Sequence, residues 1–107
     1  MTKNGKLRPV FTLLVQVGRK EGDGLPDTAT GAGLLCYAAG VDEAEAVNET
    51  IAVLREAGMA PLEVEGLGSA EERIADGHTI EPDEQALMDR ALTDNAVIVA
   101  QTTLFND

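Results

Sequence analysis

Seven consecutive residues, Gly33-Leu-Leu-Cys-Tyr-Ala-Ala39, carry no charge and leave both faces of an extended segment apolar. A strand with one wet face alternates apolar and polar residues, whereas a strand covered on both sides has no reason to. The segment is therefore expected at the centre of a sheet, covered from both sides or by a partner. The remaining elements must be placed around it.

Leu7 to Val17 reads as a second strand, with Phe11, Leu13, Val15 and Val17 on one face by the period of two and Thr12, Leu14 and Gln16 on the other. Residues 1–6 precede it as a flexible basic arm. Residues 18–33 join the two strands as a long Gly-rich hairpin loop carrying one Pro. Connections of this length without structure of their own are uncommon in compact domains and are often functional. The alternative is that the strands extend inward and the glycines of Glu21-Gly-Asp-Gly-Leu-Pro26 only shape a turn tip.

Asp42 with Glu45, an acidic first turn, Arg55 and the stop at Gly58 predict a helix over 43–57. Ala44, Val47, Ile51 and Leu54 form its apolar stripe, widened by Ala46, Val53 and Ala57. Met59 to Leu67 follows as a strand, with Leu62 and Val64 inward and Glu63 and Glu65 outward. Pro61, which lacks an amide hydrogen, puts this strand at an edge or at its own start. Ser69 and Glu72 make a second capping box for a short helix closed by Gly77. Pro82 opens another helix with Leu87, Met88, Ala91 and Leu92 on one face and Asn95 as a left-handed stop. Ala96 to Phe105, rich in β-branched residues, is the last strand.

If His78 to Ile80 adds a short strand, the order from Gly33 onward is βαββαβ. The expected fold is then a single α+β domain over 1–107, a two-layer sandwich with a ferredoxin-like pattern and an extra N-terminal strand. Without that short strand, the alternative is a small mixed α/β sheet. The core has to be made of Val, Leu, Ile and Ala, since Phe11, Tyr37 and Phe105 are the whole aromatic complement.

Charge narrows the function classes. All nineteen Asp and Glu residues follow Lys20, where only three cations remain, so residues 21–107 carry a formal −16 within a total of −11. Such a body repels phosphate, which argues against nucleic acid and anionic membrane as partners. No apolar run approaches the roughly 20 residues that span a bilayer. Lys3, Lys6 and Arg8 before Val10 to Val17 imitate a signal peptide, but Thr12 and Gln16 interrupt the run and Gly-Arg-Lys stands where small residues mark cleavage. A single cysteine forms no internal disulfide, and the expected compartment is cytoplasmic.

No pattern of residues predicts a catalytic centre, a cofactor or a metal site. Cys36 sits mid-strand among apolar residues, without the electropositive setting a nucleophilic thiolate needs. His78 is the lone histidine; Asp76, Glu81, Glu71 and Glu72 are near in sequence but no metal-binding spacing is present. Gly31-Ala-Gly33 precedes a strand, the reverse of a phosphate cradle. Arg19 and Lys20, paired cations beside an acidic body, and Tyr37 and His78, which can exchange protons, are the candidate ligand-binding residues. Three classes of function follow. The first is a non-enzymatic binding or regulatory module acting as a homo-oligomer. The second is a small enzyme with a site at a subunit cleft near residues 18–33, with a small-molecule ligand. The third is an acidic inhibitor or immunity-type protein that binds a basic partner.

Overall fold

The computed structural model describes residues 9–106. The arm expected over residues 1–6, and the start of the first strand before Pro9, lie outside them. The elements are β1 (Val10–Val17), β2 (Gly31–Ala39), α1 (Glu43–Glu56), β3 (Pro61–Ser69), α2 (Ala70–Ala75), α3 (Pro82–Thr93) and β4 (Ile98–Phe105). The strands form one sheet in the order β3-β1-β2-β4, every neighbouring pair antiparallel.

This is an α+β domain, but it corrects the finer expectation in three respects. Residues 78–80 form no strand, so the βαββαβ pattern is incomplete and the strand order is not the ferredoxin-like one. The sheet is not mixed either, because β1 separates β2 from β3 and makes every ladder antiparallel. Nor are there two layers. Phe11, Leu13, Val15 and Val17 pack with Ala46 and Leu54 of α1, whereas Val10, Tyr37 and Ala39 pack with Met88 and Ala91 of α3. Alternation along β1 and β2 sends these two sets to opposite faces, so the helices cover the sheet from both sides. That cover explains the uniformly apolar β2: it is central, and eight of its nine residues are buried.

Local backbone chemistry fixes the helix ends. Asp42 Oδ1 accepts from the Glu45 amide at 2.9 Å, while the Glu45 carboxylate reaches back one residue further than a standard box, to the Val41 amide. Ser69 and Glu72 close a reciprocal box, at 2.8 and 3.2 Å. Gly58 stops α1 at φ +87°, with the Gly22 carbonyl 3.0 Å from where a Cβ would stand. Asn95 follows α3 at φ +49°.

Two packing positions differ from the periodic reading. The buried centre of α1 is Ala46, Thr50 and Leu54, not a stripe through Ala44. Thr50 sits there because its hydroxyl donates to the Ala46 carbonyl at 2.8 Å, which removes the cost of burying it. Leu62 is 72% exposed rather than inward. The β1–β3 register shifts between Gln16 and Val17, skipping Leu62, so the side chain leaves the core and lies against Gly18.

Candidate functional site

Four elements bring polar side chains together on the α3 face of the sheet. Thr12 of β1 and Tyr37 of β2 are register partners and both are fully buried. Arg73 of α2 donates from Nη1 to Thr12 Oγ1 at 2.9 Å. Tyr37 donates its hydroxyl to Glu84 Oε2 at 3.0 Å, and the same oxygen lies 3.8 Å from Arg73 Nη1. The other carboxylate oxygen of Glu84 accepts from the Glu81 amide at 3.3 Å and stands 3.4 Å from His78 Nε2. Glu84 is thus the hub. It occupies the first turn of α3, where free amides favour a carboxylate.

The electrostatics follow from this arrangement. Burial opposes ionisation of Glu84, but the Glu81 amide, the Tyr37 hydroxyl and His78 outweigh it and hold the carboxyl below its ordinary value. Burial, then the Glu84 bond and charge, push the Tyr37 hydroxyl up, with Arg73 acting the other way. Tyr37 therefore remains a protonated donor, which disfavours it as a base. His78 Nε2 also lies 3.0 Å from Arg73 Nη2. A guanidinium only donates, so this contact needs a bare Nε2, whereas a bond to Glu84 needs a proton there. One nitrogen cannot donate and accept at once, so the two contacts are alternatives.

Beside this cluster, a cleft of about 270 Å³ is lined by Leu35, Tyr37, Glu84, Leu87, Ala100 and Gln101, together with Asp83. Its floor is the part of the sheet that α3 leaves uncovered. The cleft thus combines an apolar bed with a carboxylate rim at the start of a helix.

Of the four candidate residues from the sequence, Tyr37 and His78 come together through Glu84. Arg19 and Lys20 lie at the other end of β2, beyond Val17 and opposite Gly31. Six residue steps along the strand, about 20 Å, separate Gly31 from Tyr37, so one chain does not join the two pairs. Arg19 is turned into its own loop. Its Nε donates to Asp23 Oδ2 at 3.0 Å, and its Nη groups donate to Asp23 Oδ1 and to the carbonyls of Leu25, Pro26 and Ala29. Asp23, 4% exposed, accepts in addition from the amides of Lys20 and Leu25 at 2.9 and 3.0 Å. The Lys20 side chain is exposed.

Glu84, Arg73 and Thr12 are the members that sequence reasoning passed over. The acids weighed as partners of His78 were its neighbours in the chain, and Glu84 bonds Tyr37 across 47 residues. Its position two residues after Pro82 marks a helix start, which was the available signal. Cys36 is fully buried, and burial pushes its thiol up to about 11. Among the described residues no group of three or more His, Cys, Asp or Glu side chains is placed to hold a metal ion, and no helix is long and apolar enough to cross a membrane.

Fold and cluster define a small α+β domain with a four-stranded antiparallel sheet between helices. The chain belongs to the family described as "Domain of unknown function (DUF8846)", which matches residues 10–106. No curated protein and no solved structure matches it.

Proposed function

We propose that this protein is a non-enzymatic binding or regulatory module that acts as a homo-oligomer. The observation that carries the reading is the character of β4. This edge strand exposes Val99, Leu104 and Phe105 at 43%, 40% and 40%, within residues 96–106, which contain no charged side chain. Exposed apolar side chains along an uncharged edge strand, whose outer backbone groups have no strand beside them, make it a place where another chain can pair. The breadth of Gly33 to Ala39 no longer argues for a partner, because the chain's own helices cover that strand, so the edge alone supports association.

The non-enzymatic part rests on how the reactive groups are used. The thiol of Cys36 is buried and protonated, Tyr37 is held as a donor to Glu84, Arg73 donates to Thr12 and contacts His78, and Glu84 accepts from Tyr37 and the Glu81 amide. Arg19 is spent on its loop. What remains for a ligand is the apolar floor and carboxylate rim of the cleft.

Sedimentation or light scattering at tens of micromolar, where stable interfaces are saturated, tests the oligomer. A mass at least twice the 11.2 kDa of the chain is expected. A mass of 11.2 kDa would refute it.

A further inference from the structure

The two edges of the sheet are built differently. On β3, Pro61 offers no amide, Glu63 and Glu65 project carboxylates, and the register against β1 shifts twice. Proline, charge and bulges are the devices that stop an edge from pairing with another chain. β4 has neither proline nor charge. Residues 96–106 read Ala-Val-Ile-Val-Ala-Gln-Thr-Thr-Leu-Phe-Asn, with no Pro, Gly or charge. Its only irregularity is one shift against β2, between Leu35 and Cys36, and beyond it Gln101 to Phe105 run in regular register with Leu35 to Gly31.

α1 lies over β3, β1 and β2 and does not reach β4, which leaves Val99 and Leu104 without cover on that face. On the other face, the Phe105 ring lies across Gly33 and Gly31 and is 40% exposed.

We infer that β4 pairs antiparallel with β4 of a second copy of this chain, making one continuous eight-stranded sheet. The inference rests on the homo-oligomer reading and names its surface. A second copy is the occupant because its own β4 matches this edge in length and regular register and, uncharged over residues 96–106, meets it without local repulsion. Two chains of −11 repel wherever carboxylates meet, and this edge brings none together.

Self-pairing also has a register that keeps every side chain on its own face. Against β2, Gln101, Thr103 and Phe105 share the α3 face, and Thr102 and Leu104 share the α1 face. A two-fold axis at Thr103 sets Thr103 opposite itself, Thr102 opposite Leu104, and Gln101 opposite Phe105 of the second copy. Phe105 of the second copy then stands beside Gln101, at the mouth of the cleft that also holds Tyr37 and Glu84. The cleft is completed across the two-fold, so an apolar or aromatic ligand group would be gripped by both chains.

Two variants test this in the full chain. Opposed residues of an antiparallel pair sit about 4.5–5.5 Å apart between Cα atoms, within disulfide range. Thr103→Cys, in a Cys36→Ala background, should therefore cross-link to a dimer under mild oxidation, while Glu63→Cys at the guarded edge should not. Leu104→Asp should halve the sedimenting mass while the circular dichroism of the fold is retained. If Leu104→Asp does not fold, the Thr103→Cys cross-link alone decides. A wild-type oligomer in which Thr103→Cys fails to cross-link overturns the edge inference and leaves the homo-oligomer reading standing. A monomeric wild type overturns both.

Discussion

Tyr37 and Glu84 meet at 3.0 Å, hydroxyl to Oε2, from the centre of the sheet and the first turn of α3. Their bond ties α3 to β2 at the position where burial on the sheet gives way to the open cleft. It also connects Arg73 and His78 to the strand through one carboxylate.

Tyr37→Phe should lower stability by about 1 kcal/mol, the net worth of one hydrogen bond. Glu84→Ala should cost more, about 2–3 kcal/mol, because it strands a fully buried hydroxyl and removes a partner of Arg73. Urea unfolding gives both values. In Tyr37→Phe the Glu84 carboxyl should also titrate higher than in wild type, since a bond favouring its ionised form is gone. A Glu84 titration unmoved by that substitution would show that the contact is not maintained in solution.

The loop of residues 18–30 should hold its shape at neutral pH and lose it in acid. The Arg19 bond, followed by the amides of Leu25 and Lys20, lowers the Asp23 carboxyl from 3.8 to about 2. A depressed folded-state pKa stabilises fully above the ordinary value, and the effect is lost as pH falls through about 2. Amide hydrogen exchange across residues 19–30 should show protection at pH 7 that Asp23→Ala removes. Fast exchange in the wild type at neutral pH would contradict the clasp.

Cys36 should react with a thiol reagent only as fast as the protein unfolds. It has no exposed surface, and its thiol is pushed up to about 11, so the native chain offers almost no thiolate. Labelling in native buffer at the rate of a denatured control would refute this.

Leu13 lies at 0% exposure in the central part of β1, packed toward α1. Leu13→Ala should cost about 3 kcal/mol from lost transfer energy and the cavity left behind. That is a large share of the roughly 5–10 kcal/mol expected for a domain of this size, and the melting temperature should fall accordingly. Gly58→Ala should cost about 1–2 kcal/mol, because φ +87° disfavours a Cβ and the Gly22 carbonyl crowds it. A change under a few tenths of a kcal/mol in either variant would contradict the packing described.

The sequence by itself determined the pieces whose cause is local. Asp42, Ser69, Gly58, Gly77 and Asn95 mark helix ends because capping and left-handed dihedrals depend on a few neighbouring residues. The central place of β2 was legible from its lack of polar residues, and the edge place of β3 from Pro61. Thr50 and Leu62 escaped because each turned on one non-periodic event, a hydroxyl returning to its own helix and a bulge. The order β3-β1-β2-β4, the helices on opposite faces, and the meeting of Thr12, Tyr37, Arg73, His78 and Glu84 belonged to the tertiary structure alone. Those contacts join residues up to 61 positions apart, and their existence depends on which strand lies between which, a choice set by the burial of the whole sheet rather than by any short window of residues.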